Sequence, residues 1–162
     1  MCRAKNVTGA GSKEDIRRLH KWSQKNKRWA QEMLAGRYAQ GVGVPQDDKR
    51  AFVLYKLAAD QGHHIAQFNL GIKYATGHGV IQSDTLAFKY WKLSAIQGLA
   101  DAQYNVGTYY YNGIGVEQSD TKARVWWTKA AKQGQKDAIK CLKILDKQEG
   151  IKTTSSSSNF TD

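Results

Sequence analysis

The chain has 162 residues, is 41% hydrophobic, and carries 15 glycines, one proline and a formal charge of +11 from 25 Lys+Arg against 14 Asp+Glu. That apolar content supports a buried core and excludes a wholly disordered chain, while no apolar run approaches the roughly 18 residues needed to cross a bilayer. Two cysteines far apart, Cys2 and Cys141, offer no disulfide framework and fit a reducing compartment, the cytosol or nucleus.

The glycines set a period. Gly41, Gly77 and Gly113 are 36 apart, as are Gly43, Gly79 and Gly115, and again Gly62, Gly98 and Gly134. Aligning residues 63–98 on 99–134 without gaps gives 17 identities in 36 positions, including Ala66/Ala102, Gly71/Gly107, Tyr74/Tyr110, Asp84/Asp120 and Trp91/Trp127. Residues 27–62 keep the same phase, with Ala30, Leu34, Tyr38, Ala51, Tyr55 and Ala59. An exact repeat of this length signals stacked supersecondary units.

In chain order, residues 1–11 are expected to be an unstructured segment, with no apolar stretch of the kind a secretory signal needs. Residues 12–26 fall in the second-helix slot of a degenerate unit, with Leu19 at the tryptophan position and Asn26 at the closing glycine. Three full repeats follow at 27–62, 63–98 and 99–134. In each, a first helix places Ala66, Leu70 and Tyr74, or their equivalents, at i, i+4 and i+8 on one stripe. Gly77 ends it, Gly79-Val80 makes a turn with the valine plugging the core, and Asp84 caps a second helix that buries Ala87, Trp91 and Ala95. Ala138 and Leu142 continue the first-helix pattern into a capping helix over 135–148. Residues 149–162, rich in Ser and Thr, read as a disordered tail. The fold class is all-α, a right-handed α-solenoid of stacked antiparallel helix pairs.

The string ADAQYNVGTYYYNGIGVEQSDTKARVWWTKAAKQG at 100–134 resembles the consensus of the Sel-one-like repeat family, a branch of the tetratricopeptide-like helical repeats. Ala35 in place of the helix glycine, Tyr55 in place of tryptophan and Ser94 in place of the first alanine of the AA pair are its modest departures. The resemblance implies a non-enzymatic adaptor or scaffold that binds other proteins, with no catalytic residues, no metal and no cofactor.

Related helical repeats bind partners on the concave face lined by the first helices. The positions offset from the core stripe are Trp29, Glu32, Gly36 and Gln40 in the first repeat, Ile65, Phe68, Ile72 and Thr76 in the second, and Asp101, Tyr104, Thr108 and Asn112 in the third. Packing between neighbouring units is the favoured role for Phe68 and Tyr104; anchoring a peptide is the sharper one.

Other chemistries are weaker. The Gly-x-Gly segments end helices and lack the strand and the Lys-Ser/Thr of a phosphate loop. His20, His63, His64 and His78 form no i, i+4 pair, and His63-His64 reads as a solvated loop. The alternative function class is an acidic surface or nucleic acid held by a basic patch of Arg17, Arg18, Lys21, Lys25 and Arg28, with Trp22 and Trp29 assigned to the core rather than to stacking. Cys2-Arg3 also matches the close of a Cys-x-x-Cys-Arg finger. On that reading the repeats would be the substrate-recruiting part of a RING-type ubiquitin ligase whose zinc finger lies upstream of this chain.

Overall fold

A computed structural model describes residues 13–156, with the side chains of Glu149 and of residues 151–156 left aside. The expectations for Cys2-Arg3, for the N-terminal segment 1–11 and for the end of the Ser/Thr-rich tail lie outside the described residues. Eight α-helices and no strand occur among those residues, in two compact units that divide after Ser83. The all-α helical-hairpin class is as the period demands. None of these helices is long and apolar enough to cross a membrane.

The first unit holds α1 (Lys13–Gln24), α2 (Arg28–Gln40), α3 (Asp48–Asp60) and α4 (His64–Thr76). Its core is the repeating stripe: Ala30, Leu34 and Tyr38 on α2, Ala51, Tyr55, Ala58 and Ala59 on α3, and Ala66, Leu70 and Tyr74 on α4, all buried. Phe52 of α3 meets the Tyr74 ring edge-on at 5.5 Å. The second unit holds α5 (Asp84–Ile96), α6 (Ala100–Asn112), α7 (Asp120–Lys132) and α8 (Lys136–Ser156). Phe88 meets Tyr110 in the same way, 36 residues on, at 5.1 Å. One helix therefore packs on the first helix of the following repeat by the same aromatic contact in both halves.

The glycine punctuation is conformational. Gly41, Gly77 and Gly113 close α2, α4 and α6 at φ 70°, 74° and 67°. Asn26 stands at φ 55° where the repeats have glycine, the single non-glycine with positive φ among the described residues. Gly115 is held on two counts. Its φ is 64°, and an added Cβ would lie 2.7 Å from the Asp84 carbonyl carbon.

Three expectations change. The caps of the second helices lie one residue earlier than Asp48 and Asp120, because the aspartates are already helical. Asp47 accepts from the Arg50 N–H at 2.9 Å, and Ser119 accepts from the Lys122 N–H at 3.3 Å. The aspartates instead reach a first helix 25 residues on: Asp48 pairs with Lys73 Nζ, and Asp84 accepts from the Tyr109 hydroxyl at 3.4 Å. Val80 and its equivalents are half-buried, lying over the turn and not within the core. Finally, α8 continues past Gln148 to Ser156.

Buried glutamines, which no apolar pattern could reveal, tie the turns together. In the third repeat Gln103 Nε2 donates to Ala95 O at 3.1 Å, and Gln133 Nε2 donates to Gln103 Oε1 at 2.8 Å. In the first, Gln61 donates to Gln31 Oε1 at 2.6 Å. Each pair satisfies buried polar groups at the point where a hairpin closes.

Candidate functional site

The first helices carry the expected binding positions as a strip beside the core stripe. On α4, Ile65 and Ile72 are exposed at 39% and 36%, Thr76 is exposed, and Phe68 is half-buried between them. Three apolar side chains spaced along one helix face form a surface that water does not favour. Thr76 Oγ1 donates to the Ile72 carbonyl at 2.9 Å.

On α6 the same positions do different things. Asp101 and Asn112 are exposed, and Asp101 accepts from Gln135 Nε2 at 3.4 Å. Tyr104 is held at the meeting of three helices. Its carbonyl accepts from Trp127 Nε1 at 3.2 Å and from Thr108 Oγ1 at 3.0 Å. With Thr108, Asn112, Tyr111, Cys141 and Ile144 it lines a cavity of about 220 Å³. Burial holds the Cys141 thiol above its ordinary pKa, so it is a weak nucleophile there.

On α2 the strip splits. Glu32 is half-buried, and burial raises its carboxyl pKa. Its charge adds to the burial that pushes the Tyr55 hydroxyl up to about 12. Gln40 is exposed and Gly36 half-buried, its added Cβ reaching only the Tyr55 hydroxyl at 3.6 Å. Trp29 turns away to the seam with α1, where its ring leans on Trp22 with centroids 6.2 Å apart. Neither tryptophan is core: Trp22 is 37% exposed and Trp29 45%. The expectation failed because the position of Trp22 holds Ala58, Ser94 or Ala130 elsewhere, leaving no slot for an indole.

The basic patch is not one helix face. Arg17, Arg18 and Lys21 are exposed on α1, which ends at Gln24. Lys25 lies in the turn, its Nζ 5.1 Å from the Trp22 ring, and Arg28 opens α2 and donates to the Gln61 carbonyl at 3.1 Å. The turn between α1 and α2 divides these basic residues between two helices.

His63 is not in a solvated loop. Its Nδ1 accepts from the Ala66 N–H at 3.3 Å and so caps α4, and its ring stacks on His64 at 5.8 Å. Burial, then the charges of His64 and Arg28, lower its pKa. On the other flank of α1, a cavity of about 390 Å³ lies over Leu34, Val53 and Leu54. Three of its polar side chains, His20, Tyr38 and Arg50, are joined to one another. The Tyr38 hydroxyl meets His20 Nε2 at 3.3 Å and accepts from Arg50 Nη1 at 3.4 Å, and Arg50 is paired with Asp47.

A family model described as Sel1 repeat matches residues 30–63, 64–99 and 100–135. A Sel1 repeat protein from Oxalobacter formigenes is 38% identical with a TM-score of 0.74, over 80% of this chain and 98% of that one. A protective antigen present in uropathogenic Escherichia coli strains, displaying an SLR fold, is 33% identical with a TM-score of 0.72, over 76% of this chain and 26% of that one. Helicobacter pylori cysteine rich protein B shares the fold at 22% identity and a TM-score of 0.64, over 83% and 100%. No curated protein matches the chain.

Proposed function

The chain belongs to the Sel1 repeat family, and we propose that it is a non-enzymatic scaffold that holds a partner protein or peptide through the face carried by its first helices. Proteins of this repeat type are generally protein–protein interaction scaffolds. The observation that carries the reading for this chain is the Ile65–Phe68–Ile72 strip on α4, apolar and in part exposed while the core stripe beside it is fully used. Exposed aliphatic and aromatic side chains on a rigid helix lose little entropy when they anchor a partner. In the third repeat Tyr104, Thr108 and Asn112 belong to the same reading through the cavity they line.

Affinity capture with the parent chain and an Ile65→Ser/Ile72→Ser variant tests it. Both side chains are exposed, so the variant should keep its helical circular dichroism and lose specific partners. Identical partner lists from the two chains would overturn the assignment of this face.

A further inference from the structure

The face of α1 defined by Asp15, Leu19 and Trp22 corresponds, three 36-residue periods on, to Ala123, Trp127 and Ala130 of α7. On α7 that face is closed by the first helix of its own repeat: Ala123 and Ala130 are wholly buried, Trp127 is 2% exposed, and its indole lies against Gly107. On α1 the same face is built differently. Two alanines that permit close helix packing are replaced by a carboxylate and a large indole.

What results is a shallow apolar seat. Leu19, Trp22, Trp29 and Met33 line a cavity of about 190 Å³ together with one carboxylate, Asp15, and two guanidinium groups, Arg18 and Arg37. Leu19 is buried, whereas both tryptophans and Met33 are more than a third exposed. A cavity of this size falls below the roughly 300 Å³ at which whole small-molecule ligands are held, and suits one bulky side chain.

The surroundings are cationic. Residues 13–29 contain seven basic residues and only Glu14 and Asp15 as acids. Arg18 and Arg37 form no ion pair among the described residues. The start of α2 adds to this, since Lys27 supplies no side-chain cap and the first turn holds no acid, which leaves the positive end of the helix uncompensated. The tryptophans lean together at 45° and 6.2 Å, with no gap in which a base could stack between them.

We propose that the α1–α2 seam docks an acidic peptide, whose bulky apolar side chain enters the Trp22–Trp29–Met33 seat while its carboxylates meet Arg18, Arg37 and the open end of α2. The site is separate from the α4 and α6 positions of the proposed scaffold face, so either can fail without the other.

The test is a phage-displayed library of random 12-residue peptides panned on the full chain, followed by titration calorimetry with the winning synthetic peptide. The winners should be net acidic with one large aliphatic or aromatic residue. Trp22→Ala and Trp29→Ala should each weaken binding at least tenfold, as should Arg18→Glu/Arg37→Glu, which leaves the apolar seat intact. Affinity should fall as salt rises, and Ile65→Ser/Ile72→Ser should leave it unchanged. Winners without acidic residues, or acidic winners indifferent to the seam variants, would overturn the proposal. So would a 12-nucleotide uridine RNA that binds through the same tryptophans and arginines when acidic peptides do not. Self-association of the chain that Trp22→Ala abolishes, with no peptide selected, would assign the seat to a second copy instead.

Discussion

The same helix face is used in opposite ways at α1 and at α7. On α7 the order small, large, small (Ala123, Trp127, Ala130) lets α6 lie close, and the indole is sealed with its N–H satisfied by the Tyr104 carbonyl. On α1 the order carboxylate, leucine, indole leaves a tryptophan on the surface beside another. The repeat period alone therefore does not say whether a face is core. The sizes flanking the central residue do, because close approach needs small neighbours on both sides.

The largest effects should separate the two tryptophans. Trp127→Ala removes a sealed side chain and leaves α6 without its packing partner, at a cost of about 3–5 kcal/mol. Trp22→Ala should cost about 1 kcal/mol, since much of that ring is already hydrated. Urea unfolding of both variants measures the contrast. Equal losses would mean that α1 is closed after all.

A smaller effect tests why Gly107 is glycine. Its added Cβ would lie 2.5 Å from Trp127 Cδ1, so Gly107→Ala should destabilise by roughly 1–3 kcal/mol through overpacking. The first repeat holds the alternative solution, Ala35 together with Tyr55, both buried. A smaller ring on the second helix leaves room for a methyl group on the first. In a double-mutant cycle, Gly107→Ala/Trp127→Tyr should therefore cost less than the sum of the single changes. Strict additivity would show that the two positions do not compensate.

Most of this fold was legible in the sequence because the period fixes three things at once. Glycine at Gly41, Gly77 and Gly113 permits the left-handed residue that closes a helix, the Ala–Leu–Tyr stripe requires a buried helix face, and recurrence requires stacking. The Sel-one-like resemblance named the same architecture. Where the reading missed, the cause was local chemistry that hydrophobic periodicity does not encode. Asp47 and Ser119 precede the recurring aspartates and take the capping role, and the buried Gln31 and Gln103 accept from Gln61 and Gln133, partners that only the fold supplies. The seam seat was half visible. The basic residues and Trp22 stood out, but their closing partner Met33 lies on another helix, and the break at Asn26 divides the apparent stripe.

The smallest effect compares how two first helices begin. α6 starts at Leu99 with no side-chain cap, whereas α4 starts on His63, whose Nδ1 must be unprotonated to accept the Ala66 N–H. The His63 pKa is lowered in the folded chain by burial first, then by His64 and Arg28, so the unfolded chain binds the proton more readily. The capping contribution is therefore present above the unfolded value of about 6.5 and is lost as pH falls through the lower folded value. His63→Asn keeps a side-chain acceptor at the cap without a proton to gain. Between pH 7.5 and 5, the melting temperature of the parent chain should fall relative to that of His63→Asn, while Leu99→Ser, which adds a cap to α6, should shift the melt by the same amount at every pH. Parallel curves for the parent and His63→Asn would remove His63 from the start of α4 and leave the two helices alike.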